Sequence, residues 1–345
     1  ETAYEEAQHI IETEEKIIPK EKTILNKEKK VTNNLVEAVT TLNQIAKTIR
    51  KKRINKGAII FDKSEIKFKL DEKNNPKELV FKTAKSANKL IEEFMLLANR
   101  RVAEKMKKGK ERFVFRVHDQ PDEEKLKNLQ TVVKRLGYNL DLKKNNLNDS
   151  LNTLLENTFG KNEQNLIDTL MIRSMSKAEY TTKNIGHYGL AFDNYTHFTS
   201  PIRRYPDVLV HRLIEAELKK EKIKTEELET LCNHSTHMEI LATKAERDSI
   251  KLMQIKYMLD KEGKIFEAVI SGVTARGVFV EVVENKCEGL VKAKDLPGDF
   301  YVHDEKNNQF VGEKTGKKYQ LGDKTRVMLI KADQVKRRLD FQILS

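Results

Sequence analysis

The residues whose types and order could carry chemistry lie at His197–Arg212, where the sequence is HFTSPIRRYPDVLVHR. Ser200 and Pro201 predict a helix start, because serine accepts hydrogen bonds from the free N–H groups of a first turn and proline tolerates the first helical position. Arg203 and Arg204 then fall within that turn. The positive end of the helix dipole lies there and favours anions. Two cations at this place therefore favour a phosphate site, in which N–H groups and guanidinium groups act together.

Pro206 follows the two arginines closely. Within a helix it would remove the hydrogen bond back to Ile202 and bend the chain just after the arginines. The alternative is a solvated arginine pair on a surface turn, which is the usual fate of adjacent arginines. These residues alone leave both interpretations open.

The elements that must position this segment are mostly helices up to about residue 260. Ser86 to Met106 predicts a long helix with Leu90, Ile91 and Leu97 on its buried face. Further predictions are two helices within residues 1–50, short strands at 58–61 and 66–70, a strand then a capped helix from 113, a helix at 163–174 and a long helix from about 228 to 259.

Two glutamates within these helices are candidates for function. Glu93 lies three residues after Leu90 and four before Leu97, at the edge of the apolar stripe, and the pattern alone favours a boundary residue that reaches water. Glu246 belongs to the tetrad AERD in the long helix, beside a predicted inner face that includes Leu241 and Ala245. Charged residues in such a place usually form a solvated face.

After Gly263 the period of the apolar residues changes from 3.6 to 2. Five runs, FEAVISGV, GVFVEVV, EGLV, TRVMLIKA and LDFQIL, predict five short strands separated by turn residues. Such a set suggests a small closed barrel of the OB type, an architecture suited to single-stranded nucleic acid. The fold expected is therefore a helix-rich α+β domain over 1–260 followed by an all-β five-stranded OB-fold barrel over 261–345.

The composition of the 345-residue chain agrees with a nucleic-acid partner. The formal net charge is +12 and 34% of the residues are charged, which points to a polyanion but does not separate nucleic acid from an anionic membrane surface. The apolar runs are too short to span a bilayer, so we expect a soluble protein that does not enter a membrane. Two distant cysteines form no disulfide framework and suit a reducing cytoplasm.

The segment HFTSPIRRYPDVLVHR resembles, almost letter for letter, the signature of the ribonuclease II/R (RNB) exoribonuclease family, and the two arginines before Tyr-Pro-Asp look most like its ribonuclease R branch. IEEFMLLANRRVA, FVFRVHDQPD and AERD resemble further stretches of the same family. The five strand-like runs resemble the RNA-binding domain first described as a repeat in ribosomal protein S1. The resemblance covers nearly the whole chain and identifies residues 1–260 with the C-terminal part of the catalytic domain.

This resemblance implies a processive, Mg²⁺-dependent 3′-to-5′ exoribonuclease that releases nucleoside 5′-monophosphates and serves RNA turnover and quality control. Arg203 would steady the scissile phosphate, and Glu246 would orient or polarise groups at the cleavage site. Tyr4 and Glu93 would hold the terminal nucleotide. Along the signature, RNA contacts are carried over onto His197, Thr199, Ser200, Arg204 and Tyr205. The expected partner is the 3′ end of single-stranded RNA, bound by a monomer.

In the barrel, Phe266 and Phe279 match the aromatic positions on which bases stack in the S1 family, although core residues of the barrel are the alternative for both. Arg276 and Lys292 stand where an aromatic residue and a histidine are usual. Both exchanges trade stacking for contact with phosphate, which predicts RNA binding with weaker base discrimination and a steeper salt dependence.

No metal site is predicted within this chain. The aspartates are isolated, Asp207 lies four residues before His211 in a spacing that predicts a local pair, and Cys232 has no second ligand pair at a zinc spacing. In the family the Mg²⁺ ligands come from an Asp-rich motif of the DxDD type, expected upstream of residue 1. The chain alone should therefore bind RNA and cut it poorly or not at all. The alternative from a different class is a non-catalytic single-stranded RNA-binding protein.

Overall fold

A computed structural model describes residues 3–61, 65–109, 112–143, 147–221, 225–305 and 307–344. The helices are α1 (Tyr4–Thr13), α2 (Asn33–Asn55), α3 (Ser86–Met106), α4 (Glu123–Arg135), α5 (Leu147–Thr158), α6 (Gln164–Ser174), α7 (Tyr205–Lys219) and α8 (Leu228–Met258). None of these helices, within the ranges just given, is long and apolar enough to cross a membrane.

The strands form short pairs, one small sheet and one barrel. They are β1 (Ile17–Ile18), β2 (Lys29–Lys30), β3 (Glu65–Leu70), β4 (Pro76–Lys82), β5 (Phe115–Val117), β6 (Glu179–Thr181), β7 (Ile265–Thr274), β8 (Gly277–Val282), β9 (Glu288–Lys292), β10 (Tyr301–Asp304), β11 (Gln309–Gly312), β12 (Lys318–Gln320), β13 (Lys324–Asp333) and β14 (Arg338–Ile343).

The chain divides into two compact units that are not continuous in sequence. The first comprises Glu1–Ser64, Thr83–Pro121 and Met175–Glu239, and the second comprises Glu65–Lys82, Asp122–Ser174 and Ile240–Ser345. Helix α8 passes from the first unit to the second.

In the first unit, α3, α7 and the β5–β6 pair share one core. Met106 of α3, Phe115 of β5, Tyr180 of β6 and Val210 of α7 are buried in the same cluster, with Cys232 of α8. The signature segment, His197–Arg212, enters α7 directly from this core. The apolar face of α7 therefore fixes the helix that the two arginines precede.

The second unit contains the predicted barrel. Its strand order is β13-β14-β9-β8-β7, and it closes through pairing of β7 with β13. Side chains of β8 alternate between buried and half-buried positions, as period-2 patterning predicts. Gly277 has φ +144°, and a Cβ there would lie 2.0 Å from the Val291 carbonyl oxygen, so the barrel admits only glycine at this position.

Several sequence-based predictions about the elements need correction. Residues 58–61 are not a strand, whereas the predicted strand at 66–70 forms β3 and pairs with β4 in a hairpin. The sheet β10-β11-β12 was not predicted, since its strands are only three or four residues long. Leu241 and Ala245 of α8 are exposed. Helical spacing shows which residues share a face, but not whether another element covers that face.

Helix α3 spans the predicted residues, but its buried face is different. Ile91 is exposed, whereas Glu93 and Asn99 are buried together with Leu90 and Leu96. The two polar residues lie there because other side chains and backbone groups satisfy them.

Candidate nucleic-acid interface

Tyr195 and Thr196, which precede the signature segment, are attached to β5 and to Val114 beside it. The hydroxyl of Thr196 donates to the carbonyl oxygen of Val114 (2.7 Å), and the N–H of Arg116 donates to the carbonyl oxygen of Tyr195 (2.9 Å). Thr196 is fully buried. The entry to the signature segment is therefore held against the edge of a strand.

Asn99 of α3 fixes the next two residues. Its side-chain oxygen accepts the N–H groups of Phe198 (3.0 Å) and Thr199 (3.2 Å), while its amide nitrogen donates to the Tyr195 hydroxyl (3.2 Å). One buried amide thus replaces the backbone partners that this irregular stretch lacks. Sequence reasoning missed Asn99, although a polar residue at core spacing in α3 was the signal that could have shown it.

Asp207 completes the attachment from the other side. Its side chain is 0% exposed, and Oδ1 accepts both the N–H of Ser200 (2.8 Å) and Nη2 of Arg204 (2.8 Å). The predicted pair of Asp207 with His211 is therefore wrong. His211 instead lies 2.9 Å from the Phe198 carbonyl oxygen through Nε2 and stacks on the Phe198 ring.

The predicted helix start at Ser200 and Pro201 is also wrong. The carbonyl oxygen of Ser200 accepts the N–H groups of Arg203 and Arg204 in a turn, and α7 begins only at Tyr205. Pro206 lies in the first turn of α7, where its missing N–H costs no helical hydrogen bond, so it does not bend the helix.

The two arginines consequently have different environments. The Arg204 side chain is 18% exposed and paired with Asp207. Arg203 is exposed and, among the residues that the structure describes, has no ion-pair partner. The neighbouring Ile202 is fully exposed, and Tyr205 is about half exposed. The segment therefore presents Arg203 to solvent from a backbone held at several points.

His197 lies beneath this surface in a group of aromatic side chains. Its Nδ1 is 2.7 Å from the hydroxyl of Tyr180, whose ring carries the Arg116 guanidinium 4.5 Å from its centre. Arg116 is held in turn by a two-pronged ion pair with Glu239 (2.6 and 2.8 Å). Burial, together with the charge of Arg204, lowers the pKa of His197 to about 2, so the imidazole is neutral. Burial raises the pKa of Tyr180 to about 12.

Glu93 does not reach water, so the interpretation favoured by the helical pattern is wrong. Its carboxylate is 1% exposed and accepts two hydrogen bonds from Arg53, of which Nε–Oε2 measures 3.3 Å. Arg50 Nη1 lies 3.6 Å from Oε1. A contact of Glu93 with RNA stays a prediction, but the structure shows that its charge already holds α2 and α3 together.

Tyr4 and Glu246 lie on exposed surfaces. Tyr4 begins α1 and is about half exposed, and Glu246 is exposed on the part of α8 that belongs to the second unit. Their predicted contacts with RNA and with the cleavage site stay predictions. Within the described ranges, no three His, Cys, Asp or Glu side chains come together to hold a metal ion.

In the barrel, the structure separates the two phenylalanines. Phe266 is 7% exposed and belongs to the barrel core, so the base-stacking role predicted for it is wrong and the core alternative is correct. Phe279 is half-buried, Lys292 pairs with Gly277 across β8 and β9, and Arg276 is exposed in the adjoining turn. Phe279, Arg276 and Lys292 therefore lie at one edge of the barrel.

Family models match both parts of the chain: "RNB domain" over residues 1–220 and "S1 RNA binding domain" over residues 259–344. The chain belongs to the RNB family. The RNB chain is 38% identical over 315 residues to ribonuclease R of Aquifex aeolicus, which covers 90% of the chain and 45% of that protein. It is 34% identical over 324 residues to ribonuclease R of Escherichia coli, which covers 90% of the chain and 40% of that protein. These relatives confirm the resemblance to ribonuclease R.

Solved structures agree with the RNB assignment. RNase R of Mycoplasma genitalium, known in an apo form and in complex with ribose methylated single-stranded RNA, matches with a TM-score of 0.85 at 26% identity. The match covers 91% of the RNB chain and 50% of that protein. The helix-rich α+β fold followed by a five-stranded barrel is thereby confirmed. The chain spans less than half the length of the two ribonuclease R sequences above.

Proposed function

We propose that this chain is the C-terminal part of a processive 3′-to-5′ exoribonuclease that hydrolyses RNA to nucleoside 5′-monophosphates. The observation that carries the proposal is the contrast between the arginines: Arg204 neutralises buried Asp207, and Arg203 remains exposed on a backbone fixed in advance. A guanidinium held in this way is suited to a phosphate, because little reorganisation is needed when charge grows on the phosphate oxygens.

The roles of Arg203, Glu246 and Tyr4 are proposed from the family resemblance, and the contacts of Asp207 and Asn99 support theirs. Arg203 would contact the scissile phosphate, while Asp207 and Asn99 would act only by positioning the loop. Neutral His197 adds no competing charge beneath it. Glu246 would orient groups at the cleavage site, and Tyr4 would contact the terminal nucleotide.

The family implies a divalent metal ion, and we propose Mg²⁺. The described side chains do not form the cluster of carboxylates that this ion needs. We therefore place its ligands mainly in an Asp-rich segment upstream of residue 1 and derive no step through the metal.

We further propose single-stranded RNA 3′ ends as the substrate, with the chain acting as a monomer in the cytoplasm and its domains dividing at residues 260 and 261. The half-buried Phe279 and exposed Arg276 of the barrel would give RNA a second contact with weak base preference. Lys292, at the same edge of the barrel, would add to the salt dependence.

The test uses 5′-labelled single-stranded RNA with and without Mg²⁺, with cleavage followed on a sequencing gel and binding followed by titration. We expect the chain alone to bind RNA without shortening it. Preceded by a segment that carries an Asp-rich motif of the DxDD type, it should shorten RNA stepwise from the 3′ end. Arg203→Ala should abolish shortening, whereas Arg212→Ala, an exposed arginine on α7, should not.

The same experiment separates the alternative function. A non-catalytic single-stranded RNA-binding protein would bind RNA in both forms and shorten it in neither, and Arg203→Ala would change the affinity only modestly. Absence of both binding and shortening would refute the two functions together.

A further inference from the structure

A basic surface of the second unit is bounded by strands other than β8 and β9. A cleft of about 540 Å³ is bounded by β12, β13, the end of β14 and β7. This volume lies within the range of ~300–1,000 Å³ that is usual for ligand sites. Its charged lining consists of four cations and two carboxylates: Lys317, Lys318, Lys324, Arg326, Glu267 and Asp323.

The two carboxylates already have partners. Oε1 of Glu267 lies 3.5 Å from Nε of Arg326 on the paired strand. Asp323 accepts the N–H of Gln320 (2.8 Å). Burial raises the pKa of Asp323, and the nearby Arg135 opposes that shift. Glu267 therefore offsets Arg326, and the single carboxyl group of Asp323 leaves the three lysines in excess.

The three lysines supply the net charge. In the described parts of the chain, no carboxylate oxygen lies within 4.0 Å of the Nζ of Lys317, Lys318 or Lys324. All three side chains are exposed. Lys317 lies over the Tyr319 ring, 5.1 Å from its centre, which keeps its ammonium group beside the cleft. The starts of β12 and β13 thus place three exposed ammonium groups around one cavity, and of these Lys324 also interacts electrostatically with Glu163.

The chemistry of the lining favours phosphate over nucleobases. Lysine acts on phosphate as a compact point charge and needs no fixed planar geometry. Tyr319, the aromatic member of the lining, and Ile343 are almost fully buried, and Leu344 is half-buried but aliphatic, so the lining offers no exposed ring on which a base could stack. The partner expected here carries closely spaced negative charges and is recognised without its bases.

We infer that this cleft binds the sugar-phosphate backbone of single-stranded RNA, at a contact separate from the one around Phe279. The inference rests on the proposed RNA function. It favours RNA over an acidic protein segment because the match to the S1 RNA binding domain includes every strand that bounds the cleft. RNA that leaves the edge of β8 and β9 would gain a sequence-independent contact at this site.

The test measures the affinity of the full chain for a labelled single-stranded 24-mer at several salt concentrations. The variant is Lys317→Gln/Lys318→Gln/Lys324→Gln. The matched control is the triple variant Lys73→Gln/Lys77→Gln/Lys127→Gln. It removes the same charge from exposed lysines of the same unit that do not line the cleft. A third variant replaces the three cleft lysines with arginine and so retains their charge.

Losing up to three phosphate contacts should lower the slope of log affinity against log salt by about 1 to 2 and weaken binding at least ~10-fold at 0.1 M salt. The control should change the slope by much less, and the arginine variant should keep most of it. Equal slopes for the cleft variant and the control would overturn the inference. The inference would also be overturned if the chain bound a polyglutamate peptide more tightly than RNA and the cleft variant no longer bound that peptide. A wild-type chain that binds no RNA would instead refute the proposed function itself.

Discussion

Arg203 and Arg204 are adjacent in the chain, yet replacing each with alanine should impair a different property of the protein. Arg204→Ala leaves the fully buried carboxylate of Asp207 with only the N–H of Ser200 as a donor. Arg203→Ala removes an exposed side chain that has no ion-pair partner among the described residues. The first variant should lose stability and the second should lose affinity for RNA.

The magnitudes follow from burial. Breaking a buried ion pair from one side costs ~3–5 kcal/mol. The Arg204 side chain is 18% exposed, so water screens part of the pair, and we expect a loss of about 2–3 kcal/mol in the free energy of unfolding. Arg203→Ala should change that free energy by less than ~0.5 kcal/mol. It should weaken RNA binding roughly 10-fold, because a lost hydrogen bond to a charged group is worth about 1.5 kcal/mol.

Urea denaturation and RNA titration of the same preparations make the comparison, with Arg212→Ala as the exposed control on α7. Combining Arg204→Met with Asp207→Asn removes both charges and keeps an acceptor for Ser200, so at least about 1 kcal/mol of the loss should return. An equal loss of stability in Arg203→Ala and Arg204→Ala would refute the assignment of separate roles.

Three further predictions concern buried groups. Glu93→Gln leaves two arginines without their carboxylate and should cost about 3 kcal/mol in urea denaturation, whereas exposed Glu92→Gln should cost less than ~0.5 kcal/mol. The pKa of His197 is near 6.5 in the unfolded chain and about 2 in the folded protein. Between these values only the unfolded chain binds the proton, so the free energy of unfolding falls as the pH drops below 6.5. Between pH 7.5 and 5, the free energy of unfolding should therefore fall by about 2 kcal/mol less in His197→Asn than in wild type. An equal fall in both proteins would contradict the burial of His197. Gly277→Ala should melt the barrel at a lower temperature than Gly298→Ala, because both glycines have positive φ (+144° and +89°) but only the Cβ added at Gly277 meets other atoms within 4 Å.

The barrel and the limits of several helices could be predicted from the sequence because their signals are local. Alternation of apolar residues in GVFVEVV reports a half-buried strand whatever its partner. Helix α3 spans the predicted Ser86–Met106. Arg203 could be proposed before the structure was known, because the resemblance of the signature segment to the RNB family carries it.

The burial of polar side chains was decided by the tertiary structure. Glu93 appeared to reach water until Arg53 and Arg50, about forty residues earlier in the chain, were found around its carboxylate. Asp207 was expected to pair with His211, and its actual partner Arg204, three residues earlier, was hidden by the wrong helix start. Phe266 and Phe279 had the same sequence signal, and only closure of the barrel showed which one is core.

By itself the sequence determined the family signature, the period of each apolar pattern and the excess of positive charge. The tertiary structure decided which of two adjacent arginines is exposed, which glutamate is enclosed and where three exposed lysines meet. The physical reason is that periodicity and composition are properties of neighbouring residues. Burial and pairing instead depend on residues that are distant in the chain and meet only when it folds.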